Sequence, residues 1–111
     1  MSELKLELIK KAIEEKKGED IEVYDVHESS PFFDYVILCT CSNVRQGAAI
    51  ADEIDDSLSK NADPIRNIEG KNKDSEWVLV DCGDIIVHIL SKYERIRINL
   101  EELLAKAGEK R

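Results

Sequence analysis

At 111 residues the chain has the length of one domain and can bury a core without help from a metal or a disulfide. Apolar residues make up 42% of it, yet no stretch approaches the unbroken apolar length that a membrane span needs. Sixteen Lys and Arg against 24 Asp and Glu leave a net charge of −8 spread along the chain. That balance disfavours direct RNA or DNA binding, which rests largely on cation contacts to phosphate, and suits a basic protein partner, though it also serves solubility alone.

Residues 3–17 place Leu4, Leu8, Ile9, Ala12 and Ile13 on one stripe, which predicts an amphipathic helix with Ser2 as N-cap and Gly18 as stop. The same opening stretch, MSELKLELIKKAIEEKK, is charged throughout and unlike a signal or transit peptide, so a cytoplasmic location is expected. IEVYDV (21–26) has the β-branched content of a strand, and HESSPFF (27–33) reads as a loop that Pro31 keeps out of regular pairing. DYVILCT (34–40) is the most apolar run and predicts a central strand covered on both faces. From Asn43 the period changes. Val44, Ala48, Ala51, Ile54 and Leu58 share a helical face, and Asn43 with Gln46 forms a capping-box pattern. That helix stops at Asn61-Ala62-Asp63-Pro64. A short strand over 65–68, a loop over 70–76, and the strands WVLVD (77–81) and DIIVHIL (84–90) follow, the last two joined through Cys82-Gly83. Ser91 with Glu94 and Asn99 with Glu102 are further helix-start patterns. The tail helix is expected to pack Ile96, Leu100, Leu103 and Leu104, with 102–111 fraying. The order α-β-β-α-β-β-β-α implies one α/β domain over 1–111, a mixed five-stranded sheet with flanking helices and a crossover between parallel strands.

Chemistry-bearing patterns are sparse. Cys39, Cys41 and Cys82 lie in apolar runs and are odd in number, as reduced buried thiols would be. With His88 they fall short of a zinc set, because a one-residue spacing within a strand lacks the turn that wraps a tetrahedral ion. The five glycines are scattered singly, so no Walker A or dinucleotide fingerprint exists, and neither His27 nor His88 flanks a nucleophile motif. Asp81 and Asp84 form the best acidic pair. Two such carboxylates can bind magnesium or exchange protons, but at a hairpin they are more commonly solvated turn residues. Trp77, the only tryptophan, starts a strand after a polar loop, and its pattern fits core packing and interface anchoring equally well.

The chain resembles the ribosomal silencing factors, the Iojap or RsfS family, from about residue 4 to about residue 104. The resemblance is carried by KKGEDIEVYDV, SSPFFDYVILCTCSNVRQGAAIAD, IEG and EWVLVDCGDIIVHIL, and by a tail similar to R-x-x-x-x-LExL. Its strongest element is W-V-L-V-D-x-G-D-I-I-V-H, with Ser29-Ser30, Asp34-Tyr35, Arg45 and Ala51-Asp52 in support. The resemblance implies a minimal nucleotidyltransferase-like fold and a protein that is not an enzyme and carries no cofactor or metal. It further implies binding to the large ribosomal subunit through its ribosomal protein fourteen, which blocks an intersubunit bridge and represses translation. A role in large-subunit maturation is the alternative that the resemblance also carries, and a metal-dependent nucleotidyltransferase using Asp81 and Asp84 is a more distant one. Members are often homodimers when free. The positions matching the partner-facing motif are Trp77, Asp81, Gly83, Asp84 and His88, with Asp34 and Tyr35 beside them. Trp77 would be the apolar anchor, Asp81 or Asp84 would pair with Lys or Arg, Gly83 would shape the turn and His88 would orient neighbours. Cys41, Cys82, Ile98 and Leu104 depart from the family's usual Gly, Tyr or Leu, Tyr and Trp.

Overall fold

The computed structural model describes residues 2–71 and 75–111. The elements are α1 (Ser2–Glu15), β1 (Glu19–Asp25), β2 (Tyr35–Cys41), α2 (Val44–Lys60), β3 (Asn67–Glu69) and β4 (Trp77–Asp81). After them come β5 (Ile85–Ser91), α3 (Lys92–Ile98), α4 (Leu100–Ala107) and β6 (Glu109–Lys110). The expected elements from α1 to β5 are present within a residue or two of their predicted bounds. Ser2, expected as the N-cap, already lies within α1, and part of the expected 70–76 loop falls outside the described residues.

The strands form one mixed sheet in the order β3-β4-β5-β2-β1-β6, with six strands rather than the expected five. Only β2 and β5 are parallel, Tyr35 to Cys41 pairing with Ile85 to Ser91, and every other neighbouring pair is antiparallel. The crossover from β2 through α2 therefore lands on the far edge at β3, and the chain works back through β4 to lay β5 beside β2. The additional strand comes from the chain end. Residues 102–111, read from the sequence as fraying, complete α4 and form β6, whose two residues pair with Tyr24 and Asp25, and Arg111 N–H donates to Val23 O at 2.7 Å.

α1 and α2 cover one sheet face. Leu6, Ile9, Ala12 and Ile13 of α1 and Ile50, Ala51, Ile54 and Leu58 of α2 pack on Ile37, Cys39, Val78, Val80, Ile85, Val87 and Ile89. The buried stripe of α1 is rotated from the expected one, leaving Leu4 exposed and turning Lys5 inward. On α2 the capping pattern holds, since Asn43 Oδ1 accepts from Gln46 N–H at 2.7 Å. The Gln46 amide oxygen reaches back to Ser42 N–H, and its NH₂ donates to the carbonyls of Lys16 and Lys17 at 3.0 Å, joining the end of α1 to the start of α2.

The second face is covered in part. Tyr24, Val26, Val36, Leu38 and Leu90 form a smaller core, against which Phe33, Trp77, Ile86, Ile98, Leu100 and Leu104 pack. The expected single tail helix is two, because Asn99 adopts a left-handed conformation at φ 52°, which Asn tolerates better than most residues. Asn99 thereby closes α3 and makes no side-chain cap for α4, whereas Ser91 Oγ does accept from Glu94 N–H at 3.1 Å. The break turns Ile96 and Leu103, expected in the core, out to solvent. Arg95 fastens α3 to the sheet. It is buried, and its guanidinium donates to Thr40 Oγ1 at 3.0 Å, to Asp20 O and to Glu101 at 2.9 Å. Among the described residues no helix is long and apolar enough to cross a membrane.

Candidate functional site

Burial along the strands shows where the sheet is open. All seven residues of β2 are buried, as a strand covered on both faces requires, whereas β4 and β5 alternate between buried and half-buried positions. The half-buried set is Trp77, Leu79 and Asp81 on β4 with Ile86 and His88 on β5, on the face opposite α1 and α2. Cross-strand pairing adds Glu69 beside Leu79 and Asn67 beside Asp81 from the edge strand β3. α3 and α4 pack on this second face through Ile98, Leu100 and Leu104, in the same cluster as Trp77 and Ile86. Among the described residues they leave Trp77, Leu79, Asp81, Ile86 and His88 only partly covered.

Trp77 and His88 form the centre of the open region. The indole Nε1–H donates to His88 Nδ1 at 3.0 Å, with ring centroids 5.8 Å apart and planes tilted by 44°. Burial pushes the His88 imidazole down to about 4, so the ring is neutral near pH 7. An indole N–H can only donate, so Nδ1 is the acceptor and the ring proton sits on Nε2. That tautomer has its lone pair already engaged and no free nitrogen with which to act as a base. The start of β4 is held by Ser75, whose hydroxyl accepts from Trp77 N–H at 3.1 Å and donates to Trp77 O at 2.9 Å. Both aromatic residues are thus fixed by hydrogen bonds, while their rings remain partly uncovered.

The hairpin acids have separate tasks. The turn is centred on Gly83-Asp84, one residue later than Cys82-Gly83, with Cys82 N–H bonded to Ile85 O at 2.9 Å and Gly83 at φ +97°. A positive φ at the first central residue is what a two-residue turn of the II′ kind demands, and glycine meets it without strain. Asp81 Oδ1 accepts from Gly83 N–H at 2.9 Å, so this carboxylate stabilises the turn from the open face. Asp84 Oδ1 instead meets Lys5 Nζ at 3.1 Å, and Lys5 also donates to Cys82 O and lies 3.1 Å from Asp63. Burial alone would lower the Lys5 ammonium, but hydrogen bonds to Asp84 and Asp63 outweigh it and raise the group above its ordinary value. Lys5 therefore fastens the turn to α1 and to the loop after α2.

Asp34 and Tyr35 are placed by backbone bonds to the same turn, Asp34 N–H donating to Asp84 O at 2.7 Å. The Tyr35 side chain, however, lies on the α1 face of the sheet, only 6% exposed, with its hydroxyl bonded to Glu3 and Arg111. The structure thus brings Trp77, Asp81 and His88 together and keeps Tyr35 on the other side. Cys82, which the sequence places between the hairpin acids, is 1% exposed and belongs to the core under α1, so it does not contribute to the open face. Cys39 and Cys41 share that core, and the sheet separates all three thiols from His88. Burial pushes the Cys39 and Cys82 thiols up to about 12 and raises Cys41 as well. Among the described residues no group of three or more His, Cys, Asp or Glu side chains is arranged to hold a metal ion.

Sequence reasoning missed Lys5, Arg95 and Glu69. Lys5 sits between two leucines on a helix that packs on a sheet, a position where a lysine has either to reach water or to find acceptors. Arg95 has no local signal, because its acceptors on β1 and β2 are distant in the chain. Glu69 lies in the IEG segment of the family pattern, but its place beside Leu79 appears only when β3 pairs with β4.

Fold and site define a small mixed-sheet α/β domain whose second sheet face is half uncovered around a tryptophan–histidine pair. The family model described as "Ribosomal silencing factor during starvation" matches residues 1–111, and the chain belongs to this family. It is 37% identical over 102 residues to the ribosomal silencing factor RsfS of Bacillus subtilis, covering 92% of this chain and 86% of that protein. To its Haemophilus influenzae counterpart it is 35% identical over 100 residues, with 90% and 97% covered. The chloroplastic protein Iojap of Zea mays is 32% identical over 97 residues, 87% of this chain and 42% of that longer protein. A crystal structure of a Chromobacterium violaceum protein superposes with a TM-score of 0.89 at 31% identity, covering 98% of this chain and 88% of that one.

Proposed function

We propose that this chain is a non-catalytic repressor of translation that binds the large ribosomal subunit through ribosomal protein fourteen, using the open half of its sheet. Bound there, it blocks an intersubunit bridge, so that the subunits do not join. It acts by occupancy, in the cytoplasm where ribosomes are found. The observation that carries this reading is the Trp77–His88 pair, joined by a hydrogen bond yet only partly covered on the sheet face opposite α1 and α2. A preorganised aromatic of this kind is typical of interface hot spots. The net charge of −8 supports a basic protein as partner and argues against binding led by ribosomal RNA.

The test is Trp77→Ala, checked for folding by circular dichroism and assayed for co-sedimentation with purified large subunits. Truncating a hot-spot aromatic typically weakens binding by about 2–4 kcal/mol, or roughly 30- to 1000-fold. The same variant should fail to prevent subunit joining followed by light scattering. Wild-type co-sedimentation by the folded variant would show that this face is not the ribosome-binding surface.

A further inference from the structure

Beside Trp77 the open face continues into a cleft of about 330 Å³, lined among the described residues by Glu69, Gly70, Ser75, Trp77 and Leu79. We propose that this cleft is the seat of one arginine or lysine side chain from ribosomal protein fourteen, with Glu69 receiving its charge. The inference rests on the reading of the Trp77 face as the ribosome-binding surface and adds to it a residue, Glu69, that decides which side chain is accepted.

The chemistry of the walls sets the occupant. Trp77 and Leu79 give the cleft an apolar side, against which the methylene stem of a long basic residue packs well. The indole N–H is already donated to His88, and the Ser75 hydroxyl is bonded to the Trp77 backbone, so neither is left to recognise a carboxylate or phosphate. What remains for a ligand is an acceptor, the Glu69 carboxylate. Glu69 is exposed, and its carboxylate accepts a long hydrogen bond of 3.4 Å from the Asn67 amide. Glu69 stands directly across from Leu79 in the β3–β4 pairing, which puts the carboxylate on the same face as the indole. A cation held there lies near the Trp77 ring as well, where the π face adds attraction. An apolar stem ending in a cationic donor fits all of these surfaces, and a neutral apolar residue would leave the carboxylate desolvated and unpaired.

The cleft exists because the chain can approach the start of β4 closely. Gly70 has φ +91°, and a Cβ added there would lie 2.5 Å from Trp77 O, so only glycine lets the chain turn from β3 past the Trp77 backbone.

The experiment measures affinity for purified large subunits at two salt concentrations for wild type, Glu69→Gln, Trp77→Ala and Asp56→Asn. Asp56 is an exposed acid on α2, on the opposite side of the sheet, and controls for the loss of one negative charge. Glu69→Gln should bind about tenfold more weakly than wild type at low salt, with a flatter salt dependence, while Asp56→Asn stays near wild type. If Trp77→Ala is impaired and Glu69→Gln matches wild type or Asp56→Asn, the basic-side-chain seat is refuted and the ribosome-facing surface stands. A Glu69→Gln variant that binds weakly with an unchanged salt slope also refutes recognition by charge. Should Trp77→Ala bind normally, the surface itself is wrong and this inference falls with it.

Discussion

Replacing Trp77 by Phe keeps an aromatic ring on the open face but removes the one donor that His88 Nδ1 uses. In the wild type that bond is 3.0 Å long and both partners are half-buried. Leaving a buried acceptor unpaired costs about 1–3 kcal/mol, and partial access of water to this face places the value in the lower half of that range. The smaller ring also gives up contact with its neighbours, worth about 1 kcal/mol. Together the variant should lose roughly 2–3 kcal/mol of stability, which lowers the melting temperature of a domain this size by roughly 10–15 °C. The imidazole reports on the same event. Burial holds it down to about 4 in the wild type, and losing the donor while admitting water should move its titration back towards the ordinary value of 6.5. Calorimetry gives the first quantity, and NMR titration of the His88 ring protons gives the second. An unchanged melting temperature together with a ring that still titrates near 4 would refute the claim that the Trp77–His88 bond organises this face.

Three other perturbations probe the frame around the pair. Lys5→Met leaves Cys82 O without its side-chain donor and removes the cation between Asp84 and Asp63, so urea unfolding should show a loss of about 2–4 kcal/mol. Gly83→Ala meets nothing closer than Lys5 Nζ at 3.5 Å, so its cost is that of a positive φ alone, about 1–2 kcal/mol, with the fold kept by circular dichroism. Acid lability should follow from His88. The folded ring stays neutral down to about 4, whereas the unfolded one takes up a proton from about 6.5 downwards. Stability therefore falls as pH drops through that window, by up to roughly 3 kcal/mol, with no contribution from this group above it. Thermal melts of wild type and His88→Gln between pH 7.5 and 4 isolate the effect, and parallel curves would show that His88 is not the group responsible.

By itself the sequence determined the elements whose causes are local and the motif that marks the family. β4 lies where the apolar run WVLVD placed it, and the Asn43–Gln46 and Ser91–Glu94 patterns are real helix starts, because a cap needs only residues three apart. The family motif was legible for a similar reason, since Trp77 to His88 are close in the chain and adjacent in space. Tertiary structure decided what depends on distant partners. DYVILCT is apolar at nearly every position, so its sequence does not say that Tyr35 faces α1 and stands apart from Trp77. Asn99–Glu102 reads as a cap, but the return of the chain onto the sheet placed Asn99 in a left-handed break and turned Ile96 and Leu103 outward. Lys5 beneath the hairpin turn, Arg95 against acceptors on β1 and β2, and β6 on the edge of β1 each join residues more than fifty positions apart. Periodicity records which side of an element is apolar. Whether another element covers that side is a property of the assembled sheet, and Trp77 stays partly exposed because α3 and α4 cover the second face only in part.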